Sequence, residues 1–484
     1  MLPWAGALAA ASDTAPPAAP ATHAPEVLTA DTAWKGQVLL RGEVVVPAGV
    51  TLRVEPGTSV RLGPAGGLRI QGTLLAEGRG DAPVTFEPDP ALPYPEEGTA
   101  VMVSGRGSAR FSHCRLGKLG KAIFVSESDL ELVDTFLEDS PRAVSATISS
   151  RVTVRRSSFI RTAEGIDATL QTMVRIHDST FQDCGSWAVR LLTSAGGGEI
   201  AGNTFRNCRE GVILKQAKEV RLAHNTFADC TLGMALDQVG PDVRVEDSSF
   251  RGAGMGLRLL DTSTPSVSCS RFIGLETGIL VERFSTPRIA HNLFQGNQTG
   301  LAAVQKCNLP VQRNIFRDNR RGIFLDYSSY ARIHENDFTG NARDVALGSA
   351  MSADYENRVG TGGIIMENAA RSKMGRLTAA SAGWVLSDGV DATGNWWGEE
   401  TTRAMEAGKT RINLPSLEDG FDTPSVTYPG WAEGTFAVDK VNYLPWAASP
   451  IPGAGPSPGS CGERTTPAPS RGEAAPVTPA PPPP

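Results

Sequence analysis

The sequence predicts an all-β fold, a right-handed parallel β-helix: a three-sheet solenoid of about 22 residues per coil. Three observations predict it. A Phe recurs at Phe111, Phe136, Phe159, Phe181, Phe205, Phe227, Phe250, Phe272, Phe294, Phe316 and Phe338. Each repeat carries three short apolar signals of period two, which mark strands that turn one face inward. Composition agrees: 52 Gly and 34 Pro against 6% aromatic residues favour tight turns over a helical bundle.

Within a repeat the first strand lies five residues before the Phe, at Val154, Ile176, Ile200, Leu222, Val245, Val267, Ile289, Val311 and Ile333. The Phe marks the second. The third follows a Gly six residues after the Phe, as in Gly211 with Val212 and Leu214, or Gly322 with Ile323 and Leu325. Three strands per repeat make a triangular coil, and strands one coil apart pair in parallel at about 4.8 Å, so equivalent residues stack in columns. Asn203, Asn225, Asn292, Asn314 and Asn336, two before the Phe, are expected to form a ladder of amides. Three after the Phe, Cys184, Cys208 and Cys230 share a column with Asn297, Asn319 and Asn341, which predicts a small inward slot and buried free thiols. The seven Cys, with no CxxC, form neither a zinc pattern nor a disulfide framework.

The β-helix is expected over residues 38–398, about 16 coils or very roughly 75 Å. Residues 1–37 read as the remnant of an export signal and an Ala/Pro linker, since Leu2–Ala11 is apolar and ends in small residues, though without a basic start. Between Phe338 and Trp397 the chain is too long for two coils, which predicts an excursion near 351–383. Residues 399–451 are expected to cap the open end, because bare strand edges invite pairing with other chains. Five of the eight Trp (Trp384, Trp396, Trp397, Trp431 and Trp446) gather there, as cap residues or as platforms for sugar stacking. Residues 452–484, of which 11 of 33 are Pro, read as a disordered tail.

Val50-Thr-Leu-Arg-Val-Glu-Pro-Gly-Thr58 with Gly72-Thr-Leu74, the Asn-x-Phe-x-x-Asn/Cys-x-x-Gly-Ile-x-Leu repeat, and Asn395-Trp-Trp-Gly398 resemble exported bacterial β-helix repeat proteins of the pectin-lyase-like superfamily. The resemblance spans about residues 38–452. It implies export to the periplasm, cell surface or medium, and it leaves activity open, because that superfamily holds polysaccharide lyases, hydrolases and epimerases beside non-catalytic proteins. Periplasmic relatives that assist copper-enzyme maturation share the repeats, but no Met/His copper motif stands here.

Candidate chemistry is read from the columns. Ten or eleven residues after each Phe, Lys215, Asp237, Asp261, Glu282, Arg283, Asp326 and Tyr327 form a mixed-charge strip on the strand face where the superfamily's enzymes act. Such a strip is either a solvated face or a ligand surface, and Asp237 and Asp261 would bridge Ca²⁺ to a uronate were the protein a lyase. Three before the Phe, Asp247, Cys269 and His291 fall on successive coils, a weak metal-ligand pattern. Ala163-Glu-Gly-Ile-Asp167 resembles one unit of polygalacturonase-like hydrolases, yet the following coils lack the rest of that signature except Lys215. The net charge of −6 without a basic stripe excludes a nucleic-acid partner, and no apolar run approaches the ~20 residues of a transmembrane helix. These readings converge on an exported, non-catalytic protein that binds carbohydrate or stiffens the envelope. The alternative is a lyase, hydrolase or epimerase acting on an acidic polysaccharide.

Overall fold

The computed structural model describes residues 26–92, 94–193, 197–252, 254–360, 389–408 and 411–456, with the backbone of Thr22–His23. Most of the stretch read as an export-signal remnant, most of the excursion expected near 351–383 and the chain beyond 456 lie outside the described residues. About 14 turns of roughly 22 residues are formed, fewer than 16. The chain divides into two units, Met1–Val220 and Arg221–Pro484.

In the first unit, three parallel sheets wind around an apolar core. Winding begins before residue 38: Thr32–Trp34 pairs with Thr51–Val54, and Leu28 and Trp34 are buried. A typical coil contributes a strand of three residues (Ser158–Ile160), one of six (Glu164–Thr169) and one of five (Met173–His177). The three-residue strands carry the Phe column, but its upstream members differ from the periodic reading. Phe86, Leu116 and Leu137 precede Phe159 in register. Phe136 is 41% exposed, beneath the Arg115 guanidinium, because the coil is one residue out of phase and Leu137 takes the inward place. Phe111 is buried in the third sheet, paired with Leu132, in the column of Val154.

In the second unit the column is regular. Phe227, Phe250, Phe272, Phe294, Phe316 and Phe338 stack with ring centroids 4.7–5.1 Å apart. Trp397 lies on Phe338 at 4.8 Å, so it is the next rung and not, as the chain length implies, the second one on. Asn395 likewise continues the ladder: Asn292, Asn314 and Asn336 each donate the backbone N–H to the side-chain oxygen of the next Asn, ending on Asn395, at 2.8–2.9 Å. Asn297, Asn319 and Asn341 form a second ladder, and the Cys sharing that column, Cys184 and Cys208 in the first unit and Cys230 in the second, are buried thiols outside any disulfide, as expected. Gly300 belongs to a crowded column, where a Cβ would stand 2.6 Å from the Gly322 carbonyl oxygen. The open end is closed by a helix over Gly398–Gly408 and by Leu417–Glu418, which pairs with the last long strand, Arg343–Leu347. Residues 451–455 are held to the coils: the Ile451 N–H donates to Asp337, and the Gly455 N–H to the Arg313 carbonyl at 2.7 Å. The chain is therefore still part of the folded body past the boundary expected at 452.

Candidate functional site: an aromatic cleft in the second unit

The strip read from the sequence resolves into two columns. Lys215, Asp237, Glu282 and Asp326 are the last residues of their strands. Asp261, Arg283 and Tyr327 are one residue further on, with φ of +48°, +53° and +50°. A second left-handed residue follows each, Thr262, Phe284 and Ser328, and Gln305–Lys306 makes the same turn on the coil between. Such a two-residue turn swings the chain sharply at the strand end and throws both side chains outward.

Stacked turns build one wall of a cleft of about 790 Å³ from Arg283, Phe284, Gln305, Lys306, Tyr327 and Ser328. Backbone bonds fix the steps: Phe284 N–H to the Gln305 carbonyl at 3.0 Å, and Lys306 N–H to the Tyr327 carbonyl at 2.9 Å. The opposite wall comes from a short helix, Ala353–Arg358, and from the turn at Tyr428–Trp431. Ser352 caps that helix by accepting the Tyr355 N–H at 3.0 Å. Tyr355 packs edge-on against Tyr428 and Phe436, at 4.7 and 5.2 Å. The two walls are tied by Glu356, only 4% exposed, which accepts from the Ser328 hydroxyl at 2.7 Å and the Lys306 ammonium at 3.2 Å. Beneath lies Asp439, accepting the Ala353 N–H and the Tyr330 hydroxyl at 2.9 and 2.8 Å.

The local field is acidic. Burial pushes the Tyr428 hydroxyl up to about 12, with Asp326, Asp439 and Glu356 adding to it. Asp326 is itself raised by burial, although its carboxylate accepts the N–H of Tyr327 and of Ala350. Both cations of the lining among the described residues are paired, Lys306 with Glu356 and Arg283 with Asp261 at 3.3 Å. Three rings of the cleft are exposed to solvent: Trp431 is 82% exposed, and Phe284 and Tyr327 are each 60% exposed.

Of the strip, then, Arg283 and Tyr327 line this cleft, and Asp261 and Asp326 stand behind them. Glu282 is tied to Arg258 at 2.6 Å. Asp237 is in register with Leu260 and not with Asp261, and Lys215 is exposed at a strand end of the first unit. Among the described residues, the strip and the column of Asp247, Cys269 and His291 included, no three His, Cys, Asp or Glu converge as metal donors. That second column is a turn: every member from Arg156 to Glu335 has a positive φ. Left-handed backbone admits Gly, Asp, Asn and His readily, which explains its polar content without a ligand. Cys269 is in a disulfide, and the His291 ring reaches the Gly453 carbonyl at 3.0 Å. In the first unit, Asp167 is gripped by both arms of Arg190 at 2.8 Å, and that guanidinium lies over the Trp187 ring at 3.7 Å. Glu164 is raised mainly by burial, with Arg142 at 3.7 Å.

Column reading missed Phe284, Lys306 and Ser328, which stand one step past the positions counted. It missed Tyr355 and Tyr428, which belong to no repeat, although the helix Ala353–Arg358 lies within the stretch 351–383 read as an excursion. Trp431 carried the one usable signal, as a member of the C-terminal Trp group.

No curated protein matches the chain. The periplasmic alginate epimerase AlgG is similar in structure over 63% of this chain and 75% of its own, at 12% identity and a TM-score of 0.39. A mannuronan C-5 epimerase A-module from Azotobacter vinelandii is similar over 62% and 89%, at 14% identity and a TM-score of 0.37. A lacto-N-biosidase from Eubacterium ramulus covers 60% and 58%, at 9% identity and a TM-score of 0.25. Likeness at this level carries nothing about chemistry. The family described as "Right handed beta helix region" matches residues 96–227 and 165–369, more than half of the sequence. With its stacked Phe and Asn columns and three parallel sheets, the chain belongs to the right-handed β-helix family.

Proposed function

We propose that the protein is an exported, non-catalytic carbohydrate-binding β-helix whose ligand lies in the cleft of the second unit. The observation that carries this is the set of exposed rings on both sides of the cleft, Tyr327 and Phe284 on the stacked turns and Trp431 opposite, beside a helix anchored by buried polar bonds. Rings with one apolar face and a polar edge suit sugars, which present C–H faces and hydroxyl rims. The carboxylates in reach serve as anchors: Glu356 holds a hydroxyl and an ammonium, and Asp439 an amide and a phenol. Export is supported by the apolar leader and by the Cys269 disulfide, since disulfides persist in oxidising compartments. No helix among the described residues is long and apolar enough to cross a membrane.

The test is retention against turnover. The full chain is run through gels containing single polysaccharides, and the same polysaccharides are assayed for new absorbance at 235 nm and for new reducing ends. The expected outcome is retardation without products. Accumulating products would establish an enzyme, and no retardation by any polysaccharide would remove the carbohydrate reading.

A further inference from the structure

The superfamily's familiar ligands are acidic polymers, and the charge strip seen in the sequence invites the same expectation. The cleft itself argues otherwise. A uronate needs a cation whose charge is available to it. Of the two cations in the lining among the described residues, Arg283 donates to Asp261 at 3.3 Å and Lys306 to Glu356 at 3.2 Å. Asp326 and Asp439 lie close behind, near enough to act on Tyr428. An incoming carboxylate would have to compete with Asp261 for Arg283, or with buried Glu356 for Lys306, and would meet a negative field while doing so. The rings carry no such penalty. Their negative faces attract the polarised C–H groups of a pyranose, and the Tyr327 hydroxyl and Gln305 amide line the same wall and can serve sugar hydroxyls.

We infer that the cleft binds an uncharged glycan, a run of neutral hexose or N-acetylhexosamine units stacked on Trp431 and Tyr327. This rests on the carbohydrate reading above and narrows its ligand class. A neutral ligand forms no ion pair on binding, so its affinity is independent of salt, whereas a uronate's falls as salt rises.

Titration calorimetry of the full chain with cellohexaose, mannohexaose, chitohexaose, a glucosamine hexamer, oligogalacturonate and oligomannuronate decides it, each at low and high salt. The expected result is binding of at least one neutral hexasaccharide, unchanged by salt and weakened at least about tenfold in Trp431→Ala, as for a central aromatic anchor. Trp431 is 82% exposed, so the variant is expected to melt like the parent. Tyr327→Ala provides a second, independent reading from the opposite wall of the cleft. In Asp261→Asn, which releases Arg283, oligouronate affinity is expected to rise by up to about tenfold, the worth of one charge-assisted contact. Salt-sensitive binding of an oligouronate or of the glucosamine hexamer in preference to the neutral sugars would overturn the neutral class and leave the carbohydrate reading standing. Neutral binding untouched by both Trp431→Ala and Tyr327→Ala would place the site elsewhere and overturn the inference. Binding of none of the six would overturn both.

Discussion

Between Thr135 and Ser179 the turn ahead of the Phe strand is held by hydroxyls, and between Asn292 and Asn395 the same turn is held by amides. The Ser157 hydroxyl accepts the Thr135 N–H at 3.1 Å and donates to the Arg155 carbonyl at 2.9 Å. The Asn314 side chain does more. Its oxygen accepts the N–H of Asn292, and its NH₂ serves the Ile289 and Gln312 carbonyls and the Asn336 oxygen, all at 2.9–3.0 Å. A hydroxyl joins its own coil to one neighbour, and an amide joins three levels at once. The aromatic column differs in the same sense. It is continuous from Phe227 to Trp397 in the second unit and contains Leu116 and Leu137 in the first. The run of amide rungs lies in the unit that also carries the cleft, whose wall depends on side chains from successive turns staying in step.

The largest expected effect tests the ring column. Phe294→Ala removes a fully buried ring stacked on both sides and should cost about 3–5 kcal/mol in denaturant unfolding. Phe294→Leu copies the first unit's arrangement and should cost about 1.5 kcal/mol or less. Equal losses would mean that the apolar volume a Leu restores contributes nothing and that continuity of stacking carries the whole effect. Next comes the ladder. Asn314→Ala strands the buried N–H of Asn292 and two carbonyls, an expected loss of about 2–3 kcal/mol, against about 1 kcal/mol for Ser157→Ala. If the two matched, the amide's extra reach would carry no stability.

The smallest effect lies at the last rung of the second ladder, where Asn341 donates to Asp344 at 3.0 Å. Asp344 is almost fully buried, and burial pushes its carboxyl up to about 7, partly offset by Asn341 and Ser416. A carboxyl raised in the folded state favours folding when protonated. Its stabilising contribution is complete below the unfolded value near 3.9 and is lost as pH climbs through about 7. Between about pH 6 and about pH 8 the loss should be about 1 kcal/mol, read as a falling Tm, and Asp344→Asn should remove that component. A Tm that rose with pH over this range, or an unchanged slope in Asp344→Asn, would show that the carboxyl does not titrate as its burial implies.

The fold was legible because its unit repeats: a Phe, an Asn and a Gly at fixed offsets report three turns and an inward face. The errors arose where one residue is gained or lost. Phe136 holds the expected interval but points outward, since period two reverses the face with a single-residue slip. Asp237 and Asp261 looked like neighbours for the same reason, and they belong to a strand end and a left-handed turn. The cleft was half legible. Arg283 and Tyr327 follow the repeat, whereas Glu356, Tyr428 and Trp431 sit in stretches with no period, and only the folded chain places them opposite.

Trp397 follows Phe338 by 59 residue numbers and yet advances the stack by a single step of 4.8 Å. Contour length and axial rise are uncoupled at that turn. Re-entry requires only that Asn395 and Trp397 regain their columns, and widening a closure from one coil to this span adds about 1 kcal/mol of chain entropy. A solenoid of this kind acts as a ruler with removable inserts. A long excursion can be gained, lost or rewritten between two rungs while every other rung keeps its place, and the far wall of the cleft begins on such an excursion.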